Sequence, residues 1–290
     1  VRHLRAILRI ILLVTFSLVI LLARLAVWPA ALVSRKADRR LRRVLLRFWA
    51  LVFAFISGVR VRTEGPKPKA PFFLVMNHVT YFDMLVLARE TGCIFVSRED
   101  VQHWPLFGFV AKSLYIIFID RALKRDTVRV NSLIRETVLE GDGIGIFAES
   151  HVSCGLTVEP FKSPLLQSAI DLGMPVHYAA LNYRTPEGSP LEGEIVSWWR
   201  PEPFYVHLYR FLKYPGVTAT LRFCDTPLFD EDRKSLARRL HAGVLAKFTP
   251  LRQAAVVYAE SRFPIEVPEP AGRCRGDFRE PFAREDVSVE

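Results

Sequence analysis

The sequence predicts an α/β protein: a mixed sheet flanked by helices, preceded by an N-terminal membrane helix or helical hairpin. Two observations lead there. From Val59 onward, short apolar runs alternate with amphipathic segments, the pattern of strands and helices layered around one core. Ahead of them, Ile7 to Val33 is almost wholly apolar, broken only by Arg9 and Arg24. Half of the 290 residues are hydrophobic, enough for one sizeable domain and a bilayer-facing segment.

In the N-terminal run, the uncharged stretch between Arg9 and Arg24 is 14 residues, short of the ~20 that cross hydrocarbon. The two arginines sit near its ends and are expected to snorkel to the interface, where Trp28 is also placed. A cleaved signal peptide is disfavoured, because no small-residue site precedes a polar mature start. The cluster Arg35–Arg43 should stay cytoplasmic. Val44 to Val59 reads as an interfacial or re-entrant helix packed on the first; the alternative is a buried helix of the soluble domain. The expected organisation is an anchor over 1–58, a folded domain over 59–262 and a loose Pro-rich, charged tail over 263–290.

Within the domain, strands are predicted at Val59–Thr63, Phe72–Met76, Ile94–Ser97, Tyr115–Ile119, Ile144–Ala148, Pro175–Leu181, Glu194–Trp198 and Val217–Phe223. Helices are predicted at Asp83–Thr91, Pro105–Ser113, Asp126–Glu140, Ser163–Leu172 and Asp230–Phe248.

Charge and cysteines narrow the function. The net charge is +10, and residues 1–50 hold eleven cations against Asp38 alone, so the remainder is neutral. A nucleic-acid binder spreads basic residues over its folded face. Here the excess lies beside an apolar run, which points to anionic lipid and to no nucleic-acid partner. Cys93, Cys154, Cys224 and Cys274 show no zinc-ligand spacing and read as thiols of a reducing compartment.

The residues suited to chemistry lie in Phe72-Phe-Leu-Val-Met-Asn-His78-Val-Thr-Tyr-Phe-Asp83. An apolar strand delivers His78 to its C-terminal end, where open α/β sheets present ligand sites. Asp83 opens the next helix, from which a carboxylate can curl back to the imidazole. That contact fixes the tautomer and raises the basicity of the other ring nitrogen, which suits removal of a proton from an alcohol. For the bare His-x4-Asp spacing a structural ion pair is the default; the preceding strand, Asn77 and the following helix shift the balance towards a site.

In this context the chain resembles the glycerolipid acyltransferases of the lysophosphatidic acid acyltransferase type. Their Asn-His-x4-Asp motif is matched by Asn77, His78 and Asp83. Their second block, a Pro-x-Phe-Gly helix and a strand ending Phe-Ile-Asp-Arg, is matched by Pro105–Gly108 and Tyr115–Arg121. The third, Phe-Pro-Glu-Gly-Thr with a following Arg and a later Pro-Phe-Lys, appears as Phe147–Ser153 and Pro160–Lys162. The fourth, Pro-Val-x-Pro-Val, appears as Pro175–Ala179. The likeness covers roughly residues 50–225. It departs at Ala148 for Pro, Ser150 for Gly, His151 for Thr, Val152 for Arg and Tyr178 for Pro.

The resemblance implies transfer of a fatty acyl group from acyl-CoA or acyl carrier protein to the free hydroxyl of a 1-acyl-glycerol-3-phosphate-like lysolipid. His78 would be the general base and Asp83 its orienting partner. Asn77, Arg121, Glu149, Ser150 and Lys162 would bind substrate, and backbone N–H groups near the helix start would hold the oxyanion. No bound cofactor and no metal are expected; the thioester is a co-substrate. Val152 cannot clamp a phosphate as Arg does, so the alternative acceptor is a non-phosphate lipid such as lyso-ornithine lipid. The expected place is the cytoplasmic face of a bacterial inner membrane. A lipid hydrolase is disfavoured, since no Gly-x-Ser-x-Gly occurs. A non-catalytic lipid-binding relative is the third option, against which the intact Asn77, His78 and Asp83 speak.

Overall fold

The computed structural model describes residues 1–29, 34–104 and 106–253. The expected tail 263–290, the end of the first apolar run, Pro105 and Cys274 lie outside the described residues. Two long helices come first, α1 (Arg2–Val27) and α2 (Arg35–Ser57). Ser34 caps α2 through its hydroxyl, and Gly58, at φ +82°, ends it in the left-handed conformation. The sheet strands are β1 (Val59–Glu64), β2 (Phe72–Met76), β3 (Ile94–Arg98), β4 (Ile117–Ile119), β5 (Gly143–Phe147), β6 (Val176–Arg184) and β7 (Val217–Phe223). Between them lie α3 (Phe82–Thr91), α4 (Phe107–Ser113), α5 (Lys124–Leu139), α6 (Gln167–Asp171), α7 (Glu192–Ile195) and α8 (Phe204–Leu212), with α9 (Arg233–Lys247) last.

The seven strands form one sheet in the order β1-β7-β6-β2-β5-β3-β4. Only β6 and β7 pair antiparallel; the other neighbours are parallel. The central β2 and β5 are buried at every position, which is why both read as unbroken apolar runs. Helices cover both faces. On one side Phe82, Leu87, Phe211 and Phe223 share a core with Leu13, Ile20, Trp49 and Phe53 of the N-terminal helices. On the other, Val130, Ile134, Leu236 and Leu240 pack on Val75 and Ile146. A β-carbon at Gly145 would come within 2.4 Å of Leu87, so β5 needs glycine there for α3 to lie this close.

Three expectations change. Glu194–Trp198 is not a strand; Glu192–Ile195 forms a single helical turn. Its anchor is the buried Glu192 carboxylate, which accepts from Thr185 N–H and Arg252, a tertiary contact that alternation in sequence does not reveal. Tyr115 is not in a strand: at φ +63° it closes α4, and β4 starts at Ile117. The N-terminal arginines do not snorkel. Arg9 donates to the carbonyls of Tyr214 and Pro215 beyond α8, and Arg24 is buried against Asp38 at 2.9 Å. Backbone carbonyls and a carboxylate inside the protein offer those guanidinium groups stronger partners than the interface does.

Helix α1 therefore docks along the domain through Ala6, Leu13, Ser17, Ile20 and Arg24, and Trp49 donates to Ser17 at 3.1 Å. Its other face leaves Leu4, Leu8, Ile11, Leu18, Leu22 and Leu25 exposed, and α2 likewise exposes Val44, Phe48, Leu51 and Phe55. By length and composition α1 is sufficient to cross a membrane. Cys93 and Cys224 are buried free thiols; Cys154, expected as a thiol, is disulfide-bonded.

Candidate active site

Strand β2 ends at Met76, and the next residue turns its side chain sideways to β6. The Asn77 amide donates to Leu181 O at 3.0 Å and accepts from Leu181 N–H at 2.8 Å. Asn77 is thus buried and tied to β6 by one donated and one accepted bond.

His78 follows at the strand end. Its Nδ1 lies 2.8 Å from Asp83 Oδ2. A carboxylate only accepts, so Nδ1 carries the proton and Nε2 presents its lone pair. Among the described residues Nε2 has no hydrogen-bond partner. The ring packs on Phe147 with centroids 4.4 Å apart. Its backbone is clamped from the loop after β5: His78 N–H donates to Glu149 at 2.5 Å, and His78 O accepts from Ser153 N–H at 2.8 Å.

Asp83, in the first turn of α3, is fully buried. Its Oδ2 also accepts from Val79 N–H at 2.7 Å and Thr80 N–H at 3.0 Å, and its Oδ1 accepts from the Tyr183 hydroxyl at 2.6 Å. These contacts bear on which N–H groups near the helix start are open to an oxyanion. The N–H groups of His78, Val79, Thr80 and Asp83 all have partners in the protein, so the start of α3 holds its own carboxylate and offers those donors to no oxyanion. Tyr183 was not legible as a site residue. Tyr183 follows the apolar Ala179-Ala180-Leu181 stretch of β6, and a buried tyrosine needs a partner for its hydroxyl; that is the available signal.

Glu149 is also fully buried. Its oxygens accept from His78 N–H and from Glu159 N–H at 2.7 Å. Burial drives the carboxyl well above its usual value, against the pull of those two amides. It supports the His78 backbone rather than facing a substrate. Ser150 takes φ +69° where the family has Gly, and it shapes the turn after β5.

A cleft of about 800 Å³ opens at the C-terminal ends of β2, β5, β3 and β4, the side on which open parallel sheets bind ligands. His78, Arg121, Lys162, Asp120, Glu159 and Trp198 are among its lining residues. Burial, and secondarily Arg98, lower the Arg121 guanidinium to about 10, which leaves it cationic at neutral pH. Among the described residues neither the Arg121 nor the Lys162 side chain has an ion-pair partner. Burial likewise holds His151 below its usual value. Beside the cleft lies an apolar pocket of about 50 Å³ between Trp49, Phe107, Ala111 and Phe204. The two share Tyr81, Met84, Val101 and Trp104.

The structure thus brings His78, Asp83, Arg121 and Lys162 to one site, with Asn77 and Glu149 buried beside it and Ser150 half-buried in the turn after β5. Comparison with known proteins agrees with the motif. The family profile described as Acyltransferase matches residues 40–181. A lyso-ornithine lipid O-acyltransferase of Brucella abortus is 30% identical over 219 residues, 71% of this chain and 82% of its own. The chain belongs to the glycerolipid acyltransferase family of lysophosphatidic acid acyltransferase type.

This acyltransferase is also 29% identical to a 1-acyl-sn-glycerol-3-phosphate acyltransferase of Neisseria meningitidis, over 52% of the chain and 59% of that protein. Its fold is that of the crystal structure of the 1-acyl-sn-glycerophosphate (LPA) acyltransferase PlsC from Thermotoga maritima. The TM-score is 0.59 at 19% identity, with 84% of this chain and 96% of that one covered. The protein is a lysolipid-type acyltransferase of the membrane.

Proposed function

We propose that the acyltransferase moves an acyl group from acyl-CoA or acyl carrier protein to the hydroxyl of a lyso-ornithine-type lipid at the cytoplasmic face of a bacterial inner membrane. The observation that carries the chemistry is the His78–Asp83 pair, with Nε2 free at a cleft. Nε2 takes the acceptor's hydroxyl proton as its oxygen attacks the thioester carbonyl carbon. The tetrahedral intermediate then collapses, the C–S bond breaks, and the leaving thiolate takes the proton from Nε2. Products are the ester and the free thiol, and no acyl-enzyme is required because the thioester is already activated. The apolar side pocket, reaching α2 and α4, is a fitting place for acyl carbon. The exposed apolar faces of α1 and α2 give the protein a surface for lipid.

Three observations favour an acceptor with a carboxylate and an ammonium over a phosphate monoester. Val152 lines the cleft where the family's phosphate arginine stands. Asp100, Asp120 and Glu159 line the same cleft as Arg121 and Lys162, so both signs of charge face the ligand. The Brucella relative that covers most of its own length on this chain is named for lyso-ornithine lipid.

An acceptor panel with purified protein and labelled thioester tests the reading. Lyso-ornithine lipid should be acylated with kcat/KM at least about tenfold above 1-acyl-glycerol-3-phosphate, the scale of one ionic contact. The opposite ranking overturns the acceptor. Arg121→Ala should raise KM for the preferred lysolipid about tenfold with little change in kcat, the result for a cation that holds a headgroup in ground and transition states alike.

A further inference from the structure

We propose that Tyr183 is a positioning residue of the transfer reaction: its phenol fixes the second oxygen of Asp83, and through Asp83 the orientation and basicity of His78. The proposal rests on the reading of His78 as the base. Tyr183 lies on β6, far from the motif in sequence, and is fully buried. Its hydroxyl reaches Asp83 Oδ1 at 2.6 Å, and among the described residues no other donor does. His78 Nδ1 and the N–H groups of Val79 and Thr80 all converge on Oδ2. The carboxylate is therefore held at both oxygens, and without the phenol one oxygen would be buried and unmet.

The same strand carries Leu181, whose backbone holds Asn77. Strand β6 thus grips the motif on both sides of His78, once through the chain and once through a side chain. The phenol stays a donor at any working pH, because burial first, and the Asp83 charge next, push it well above its normal value.

Removing the donor leaves the Asp83 charge less compensated. The Asp83–His78 pair then takes up a proton more readily, since the bare anion gains more from an imidazolium than a hydrogen-bonded one does. The other titratable groups around His78 and along its cleft are Tyr81 on its own turn, Glu149 and His151 after β5, Glu159 and Lys162 further along that loop, Arg98, Glu99 and Asp100 at the end of β3, and Asp120 and Arg121 after β4. Of these, Tyr81 is the one that interacts electrostatically with Tyr183, and its own phenol is held well above its normal value by burial, so it stays neutral in Tyr183→Phe.

The test compares wild type, Tyr183→Phe and protein carrying ring-fluorinated tyrosine at position 183, a stronger donor of nearly the same shape. Each is assayed with thioester and lysolipid across pH. Tyr183→Phe should lower kcat about tenfold, leave the lysolipid KM within about twofold, and move the acid limb of kcat/KM up by roughly half to one pH unit. The fluorinated protein should move that limb down. A wild-type kcat in Tyr183→Phe overturns the proposal, as does a lost kcat with an unmoved limb, which marks a merely structural role. If Tyr183→Phe does not fold, the fluorinated protein decides alone, and a limb indifferent to phenol acidity overturns the proposal. His78→Ala separates the two levels: activity there removes the base itself, whereas an inactive His78→Ala with wild-type behaviour in both Tyr183 proteins removes only this inference.

Discussion

Asp83→Asn should lower turnover by about three to four orders of magnitude at neutral pH, the loss seen when an orienting carboxylate in a His-based triad becomes an amide. Asp83 collects four donors on two oxygens. An asparagine can keep its carbonyl towards Val79, Thr80 and His78 and turn its NH2 to Tyr183, whose hydroxyl then accepts. The fold survives, but the charge that stabilises the imidazolium is gone. In the flipped arrangement the NH2 meets Nδ1, which forces the proton onto Nε2 and removes the base. Both outcomes act on the chemical step, so kcat should collapse while thermal stability and lysolipid KM change little. Steady-state kinetics beside a thermal melt check this; a loss confined to KM contradicts it.

Asp38→Ala should destabilise the protein by roughly 3–5 kcal/mol, the cost of removing one partner from a buried ionic cluster. Asp38 is 4% exposed and Arg24 3%. The carboxylate pairs with Arg24 and Arg42, each at 2.9 Å. Arg42 also lies 3.8 Å over the Tyr115 ring, and Arg24 donates to Ser113 O at 3.1 Å. One acid thus ties α1, α2 and the end of α4 together. Its loss leaves two guanidinium groups buried with no countercharge, and the hairpin should part from α4 first. A melt in detergent reads the loss; an unchanged melting point would show that the cluster carries no net stability.

Much of this molecule was legible in its sequence where local physics decides. Phe72–Met76 and Gly143–Phe147 are apolar without alternation because helices cover both faces of the sheet; the first is predicted at its exact bounds and the second one residue late, as Ile144–Ala148. The Asn77-His78 step and Asp83 were legible because a strand end and a helix start bring them together within one turn. What failed depends on distant partners. Glu149 reads as a loop acid until His78 and Glu159 N–H groups are seen to enclose it. Arg9 and Arg24 look like interfacial residues until Tyr214 O and Asp38 receive them. Tyr183 is separated from Asp83 by a hundred positions, and only the sheet order, with β6 beside β2, makes them neighbours. Glu194–Trp198 carries the β-branched and aromatic residues of a strand, yet the Glu192–Arg252 contact turns the chain there.

The base itself is tested most directly by His78→Ala, assayed in vesicles with labelled thioester and lysolipid and titrated with free imidazole. Diacyl product should fall by about a hundred- to ten-thousandfold and recover as neutral imidazole is added. Transfer at the wild-type rate in the untreated variant would contradict the account.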